Sequence, residues 1–212
     1  YAQAFGEYFI FDYLEFGTQA AKWFRLAADQ GVADAQYKLG LMYRNDKDVS
    51  KDYNELAADQ GVTDDKYRRA LLYKSLSHKG VTKDDAEAAK WFRLAADQGN
   101  AAAQYNLALL YERGEGVIED DTEAAKWFRL AADQGYAPAQ NNLGWMYKKG
   151  KAVPKDDIQA AKWYRLAADQ GVADAQNNLG AMYDRGEGVL RDLVQAYMWF
   201  SLAAAQGSDL GK

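Results

Sequence analysis

The sequence predicts an all-α fold built from about six repeated helical hairpins. The stretch AAKWFRLAADQG occupies residues 20–31, returns unchanged at 88–99 and 124–135, and returns with one substitution at 160–171. Within each copy the apolar residues recur with a helical period rather than alternating. The glycines that close the copies are spaced by 30, 38, 36, 36 and 36 residues, at Gly31, Gly61, Gly99, Gly135, Gly171 and Gly207.

The composition is that of a folded globular chain. Of its 212 residues, 49% are hydrophobic and 27% charged, which argues against disorder. The net charge of −5 argues against a nucleic acid or an anionic membrane surface as the main partner. The sequence contains no run of eighteen apolar residues, so no transmembrane segment is predicted. Cysteine is absent, which excludes disulfides, thiolate nucleophiles and cysteine-ligated metals but does not fix the compartment.

The first helix of each hairpin is predicted from the stretch ADAQYKLGLMY at residues 33–43, which recurs in the later copies. Ala35, Leu39 and Tyr43 are spaced by four and therefore share one face. Position 40 is Gly or Ala in every copy, which indicates that a neighbouring helix crosses closely there.

The second helix of each hairpin is predicted to begin at an aspartate. The loop RGEGV at 113–117 and 185–189 suits a left-handed glycine after the first helix. Each aspartate is followed three residues later by Glu or Gln, as in a capping box. These aspartates are Asp84, Asp120, Asp156 and Asp192. The recurring tryptophans of the second helix, predicted to pack between repeats, are Trp23, Trp91, Trp127, Trp163 and Trp199.

The copies divide the chain into repeats of unequal regularity. The predicted repeats are 1–31 (degenerate), 32–61 (shortened), 62–99, 100–135, 136–171 and 172–207, with a tail at 208–212. Six residues are missing before Gly61, so we expect a short or distorted second helix around 52–60. Two extra residues predict a protruding loop at 74–80, and FGEYF at 5–9 replaces the usual core of the first helix.

The pattern resembles the Sel-1-like repeat family of bacterial type, a relative of the tetratricopeptide repeats. The resemblance covers about residues 1–207 and rests on ADAQYKLGLMY, GEGV and AEAAKWFRLAADQG. It implies a right-handed α-solenoid superhelix. No basic-then-apolar leader is present, so we expect any targeting peptide to have been removed or to lie outside this sequence. No obvious polar capping helix follows residue 207, as is typical of a piece of a longer array. A periplasmic or secreted location is favoured over a cytoplasmic one.

The resemblance also implies a non-enzymatic adaptor whose first helices line a concave groove for a partner protein or peptide. Carried over from the related tetratricopeptide arrangement, the groove positions are Tyr37, Leu41 and Arg44; Tyr67, Leu71 and Lys74; Tyr105, Leu109 and Glu112; Asn141, Trp145 and Lys148; and Asn177, Ala181 and Asp184. These positions also differ between copies, whereas the packing positions do not.

Two features of this surface each have two interpretations. Trp145 is either an anchor for a partner or a filler between repeats. The asparagines either hold an extended peptide backbone or bond between helices. The asparagine strip consists of Asn106, Asn141, Asn142, Asn177 and Asn178.

No catalytic residue, metal site or cofactor is predicted. His78 is the only histidine and falls in the inserted loop. Acidic pairs such as Asp84 with Asp85 stand at capping positions, which favours a structural role. The lysines at 148, 149 and 151 suit either an acidic partner segment or a solvated helix end. A second functional hypothesis is a secreted hydrolase or binder of cell-wall fragments or β-lactams, as suggested for cysteine-rich relatives, and a third is self-association.

Overall fold

The computed structural model describes residues 21–44 and 84–206, and every regular element in these two stretches is an α-helix. The helices are α1 (residues 21–29), α2 (Ala33–Arg44), α3 (Asp85–Asp97), α4 (Ala101–Arg113), α5 (Asp121–Asp133), α6 (Ala137–Lys149), α7 (Asp157–Asp169), α8 (Ala173–Arg185) and α9 (Leu193–Ala205). The all-α helical-repeat fold is therefore confirmed. None of these helices has the length and apolar character needed to cross a membrane.

The chain divides into two compact bodies. The N-terminal body comprises residues 1–103 and 115–117, and the C-terminal body comprises 104–114 and 118–212. Among the described helices, α1 to α3 belong to the N-terminal body and α5 to α9 to the C-terminal body, while the residues of α4 are divided between them.

The second helices begin at the predicted aspartates, but only half of the predicted capping box forms. The Asp120 carboxylate accepts a hydrogen bond from the backbone N–H of Glu123 at 3.0 Å, which satisfies an amide at the helix start. The backbone N–H of Asp120 donates to the carbonyl of Tyr111 at 3.0 Å, so it bonds the preceding helix rather than the Glu123 side chain. The prediction of a reciprocal side-chain acceptor was therefore wrong.

Close helix crossing explains the small residue in the middle of each first helix. A Cβ built on Gly144 would lie 2.8 Å from the ring of Tyr164 in α7. A Cβ built on Gly180 in α8 would likewise crowd the ring of Phe200 in α9. A larger side chain would force the two helices of a hairpin apart.

The core of the C-terminal body is formed where successive helices meet. Tyr164, Leu179, Met182 and Trp199 pack together there with small alanines from α7 and α8. Trp163 and Trp199 are each only 6% exposed. The recurring tryptophan therefore packs in the interior at these two positions, as predicted.

An arginine on the second helix ties one repeat to the next. Arg165 in α7 donates to the hydroxyl of Tyr183 in α8, and its guanidinium lies 5.9 Å from the ring centroid of Trp199 in α9. Arg25 makes the same two contacts in the N-terminal body, with Tyr43 at 3.1 Å and Trp91 at 4.8 Å. Arg25 is therefore half-buried by contacts with later helices, although its position opposite the apolar stripe of α1 predicts a side chain that faces water.

Buried glutamines make a second recurring tie. Gln140 in α6 donates to the carbonyl of Ala132 at the end of α5, at 3.1 Å. Its own side-chain oxygen accepts a 2.8 Å hydrogen bond from Gln170, which follows α7. The carbonyl of Ala132 also accepts a 2.9 Å hydrogen bond from the backbone N–H of Gly135, so the glutamine supplies a second donor to a carbonyl at the end of the preceding helix.

These recurring ties identify α2 and α3 as the two helices of one hairpin. Gln98 after α3 donates to Gln36 in α2 at 2.6 Å, as Gln170 does to Gln140. Asp84 donates its backbone N–H to Tyr43 at 2.8 Å, as Asp120 does to Tyr111. Asp84 and Tyr43 are 41 positions apart in the sequence, whereas Asp120 and Tyr111 are nine positions apart. The stretch between α2 and α3 is therefore 32 residues longer than the stretch between α4 and α5.

The sequence itself explains why α2 is the partner of α3. In the repeat alignment, residues 63–74 match α2, but Asp65 and Arg69 stand where α2 has Ala35 and Leu39. Those α2 positions are 0% and 1% exposed, and burying an uncompensated charge there would be costly.

The repeat boundaries remain a prediction. They assign α2 to the predicted repeat 32–61 and α3 to the predicted repeat 62–99, so the two helices of this pair belong to different predicted repeats. The expectations for residues 5–9, 52–60 and 74–80 and for His78 lie outside the described residues.

Candidate binding surface

The outward side of α6 and α8 follows from what their inward sides bury. Leu143 in α6 and Leu179 in α8 are completely buried, and Gly144 faces Tyr164. Residues two positions after each leucine therefore fall on a different face of the helix. This places Trp145 and Ala181 at equivalent positions of successive first helices.

Trp145 is the most exposed aromatic residue of the predicted groove positions that the structure describes. Its side chain is 37% exposed, whereas Leu41 and Leu109, at the same repeat position, are 5% and 8% exposed. The Lys151 ammonium lies 5.7 Å from the Trp145 ring centroid, a favourable cation–π distance. Trp145 is thus held from one side and accessible from another.

Lys151 is itself fixed by an acidic partner. Its ammonium lies 2.8 Å from a carboxylate oxygen of Asp121. The hydrogen bond to Asp121 raises the pKa of Lys151, and this outweighs the opposing effect of partial burial. The contact with Asp121 thus holds the Lys151 ammonium close to the Trp145 ring.

Lys148, predicted as a partner-binding residue, has acidic partners within the chain. Its ammonium lies 3.1 Å from Asp157 and 2.6 Å from Glu187. Desolvation lowers its pKa, but the hydrogen bonds and the negative charges of Glu187 and Asp157 together raise the pKa by more. Arg44 stands at the same repeat position in the N-terminal body, is buried, and lies 4.0 Å from Glu115. Lys148 therefore links two consecutive repeats through Glu187, and Arg44 links α2 to the loop that follows α4.

The asparagine strip is only partly available to a ligand. Asn106 and Asn177 are buried. The Asn178 amide donates to the Asn141 side-chain oxygen at 3.3 Å, so this pair bonds between α8 and α6. Asn142, which is half-buried, is the remaining member of the strip.

The other predicted positions contribute to different extents. Tyr37 is half-buried with its ring 5.9 Å from that of Phe92, and Tyr105 is half-buried with its ring 5.7 Å from that of Phe128. Glu112 and Ala181 are half-buried and Asp184 is exposed. Tyr67, Leu71 and Lys74 lie outside the described residues.

Sequence reasoning missed exposed apolar side chains beyond the first helices. Ile158 and Leu190 border an open depression of about 680 Å³ between the start of α7 and the loop before α9, and both are exposed. The helix α9 exposes further large apolar side chains. A signal was available, since Leu193 and Met198 stand where α7 has Asp157 and Lys162. In the described stretches no group of three or more His, Asp or Glu side chains is placed to hold a metal.

Comparisons with known proteins agree with the helical-repeat fold, although the family profile places α2 and α3 in separate repeats. The family profile described as Sel1 repeat matches residues 17–32, 33–59, 67–100, 101–136, 137–172 and 173–208. A Sel1 repeat protein from Oxalobacter formigenes is similar in structure, with a TM-score of 0.65 and 32% identity over 86% of this chain and 62% of that one. A second similar structure is c5321, a protective antigen of uropathogenic Escherichia coli strains that displays an SLR fold, with a TM-score of 0.61 and 38% identity over 92% of this chain and 43% of that one.

The present chain thus spans less than two thirds of either solved structure. No match is found among the curated proteins. The similar structures assign the fold to the helical repeat solenoids.

Proposed function

Since this chain belongs to the Sel1 repeat family, we propose that it is a non-enzymatic adaptor that binds a partner protein on the outward side of α6 and α8. Proteins of this family are generally protein-interaction scaffolds. The segment bound would be a peptide-like stretch of the partner that carries an apolar side chain for Trp145.

The exposure of Trp145 is the observation that carries this proposal. Tryptophan buries a large area on contact and is enriched among the residues that dominate binding energy. The contact with Lys151 restricts the ring before a partner arrives, so less side-chain freedom is lost on binding. Trp145 therefore has the properties of an anchor.

The residues around Trp145 suit a segment with a polar backbone. Asn142, one helical turn before Trp145 on α6, can both donate and accept hydrogen bonds. On α8 the equivalent of Trp145 is Ala181, a small and half-buried residue. Asp184 adds an exposed carboxylate that would favour a cationic group on the partner.

Affinity capture with Trp145→Ala tests the proposal. The chain and the variant are used as baits in a lysate of the source organism, with quantitative mass spectrometry of the captured proteins. We expect specific partners to be lost from the variant, because removing an anchor costs about 2 kcal/mol, or roughly thirtyfold in affinity. The melting temperature should change little, since the ring is partly solvated.

Leu130→Ala is the matched control, because Leu130 is 47% exposed on the second helix α5. This variant should capture the same partners as the unmodified chain. Identical captured sets for the chain and Trp145→Ala would refute the assignment. A large loss of thermal stability in Trp145→Ala would instead show that the ring fills the core.

A further inference from the structure

A lysine in the loop after α6 joins the hairpin α6–α7 to the hairpin before it. The Lys151 ammonium lies 2.8 Å from a carboxylate oxygen of Asp121 at the start of α5. The hydrogen bond to Asp121 raises the pKa of Lys151, and the negative charge of Glu112 at the end of α4 raises it further. This junction therefore combines one cation of α6–α7 with two acids of α4–α5.

A second lysine joins the same hairpin to the one after it. The ammonium of Lys148, at the end of α6, lies 2.6 Å from Glu187 in the loop after α8. It also lies 3.1 Å from Asp157 at the start of α7, so it bridges the two carboxylates. The cation of this junction thus comes from α6–α7 as well.

The two junctions use the same repeat positions with opposite charges. Glu112 and Lys148 both stand five positions after the buried leucine of their first helix. Lys151 and Glu187 both stand directly after the glycine that ends their first helix. The acid and the base at these two positions are therefore exchanged between one junction and the next.

The packing contacts alone do not decide which hairpin follows which. Arg129 of α5 donates to the hydroxyl of Tyr147 in α6, and its guanidinium lies 5.8 Å from the ring centroid of Trp163 in α7. Arg165 of α7 contacts residues of the same two types in α8 and α9. The helix α5 could therefore make equivalent contacts with α8 and α9, since repeats pack through recurring surfaces.

We propose that Lys148 and Lys151 fix the order of the hairpins by making α6–α7 the required neighbour of both α4–α5 and α8–α9. If α8–α9 packed directly on α4–α5, Glu187 would take the place of Lys151. Glu187, Glu112 and Asp121 would then share the junction without a cation, and like charges held close together repel. This inference concerns stacking within the chain and does not depend on the proposed function.

Deleting residues 136–171 creates the disfavoured junction. The deletion keeps the repeat in phase, because Gly135 is then followed by Val172, as Gly171 is in the natural chain. In this shortened chain, Glu187→Lys supplies the missing cation beside Glu112 and Asp121. The folding equilibrium constant, measured by chemical denaturation, should rise about tenfold as repulsion changes to attraction.

The same substitution should have the opposite effect in the full chain. There Glu187→Lys sets a second lysine against Lys148 and should lower the folding equilibrium constant about tenfold. Adding Lys148→Glu exchanges the two charges, which reproduces the arrangement of the other junction. The double variant should recover the original constant within about threefold, because the two residues act as a pair.

Asp97→Lys is the control for overall charge, since it makes the same change at an exposed residue of α3. It should shift the folding equilibrium constants of the shortened and the full chain by the same factor. An effect of Glu187→Lys with the same sign in both chains would overturn the proposal. So would a shortened chain that is equally unstable with and without Glu187→Lys.

Discussion

Single glycines hold the repeats in contact in the C-terminal body. Gly188 has φ of +66°, and a Cβ built there would overlap the backbone carbonyl of Asp157 in the first turn of α7. Gly171 has φ of +89°, but a Cβ there would meet nothing within 4 Å. Both positions favour glycine for its backbone freedom, and only Gly188 also needs the missing side chain.

The two glycines give a matched prediction for stability. Gly171→Ala should lower the free energy of unfolding by about 1 kcal/mol, because alanine is disfavoured in the left-handed backbone conformation. Gly188→Ala should cost about 2 kcal/mol more, because the loop must also move away from α7. Chemical denaturation of the two variants measures both values. Equal losses would show that the loop of the last repeat does not rest on the preceding helix.

The candidate site could be predicted from sequence only as far as helix periodicity reaches. The position of Trp145 on the outward side of α6 follows from its spacing from Leu143. The role of Lys148 does not, because its partner Glu187 lies 39 positions later and is brought close only by stacking. The burial of Asn106 and Asn177 likewise depends on neighbouring helices that no single repeat specifies.

The positions of the helices could be predicted from the sequence, whereas the pairing of α2 with α3 could not. The capping aspartates and the recurring glycines define where the helices begin and end, because those signals are local. The partner of α3 depends instead on a comparison of two candidate first helices. Ala35, Leu39 and Gln36 of α2 fit the buried positions, and the competing segment at 63–74 would bury charge there.

Shortening the connection between α2 and α3 tests this pairing. Replacing residues 45–83 by the seven residues 113–119 would give α2 and α3 a connection of regular length. We expect a single cooperative unfolding transition, because the contacts between α2 and α3 are retained. Circular dichroism during thermal unfolding provides the measurement.

Deleting residues 31–60 is the control for that variant. This deletion has a similar length, but it removes α2 and leaves only residues 63–74 in front of α3. The control should be strongly destabilised because Asp65 and Arg69 would take buried positions. If the control proved the more stable of the two, α2 would not be the native partner of α3.

For the whole molecule, the recurring ties and the binding surface occupy different positions of the repeat. Arginine, glutamine and tryptophan positions join successive helices in both bodies. The outward positions of the first helices differ between copies, as Trp145 and Ala181 illustrate. Stacking can therefore stay constant while the surface offered to a partner changes, which is the property that an adaptor needs.

Site-specific photo-cross-linking tests this account most directly. A photoreactive phenylalanine analogue is placed at Asp184 on the first helix α8 or at Lys162 on the second helix α7, both of which are exposed. After irradiation in a lysate of the source organism, we expect a covalent adduct with a partner protein from position 184 and none from position 162. Adducts from position 162 alone, or equally from both positions, would contradict binding through the first helices.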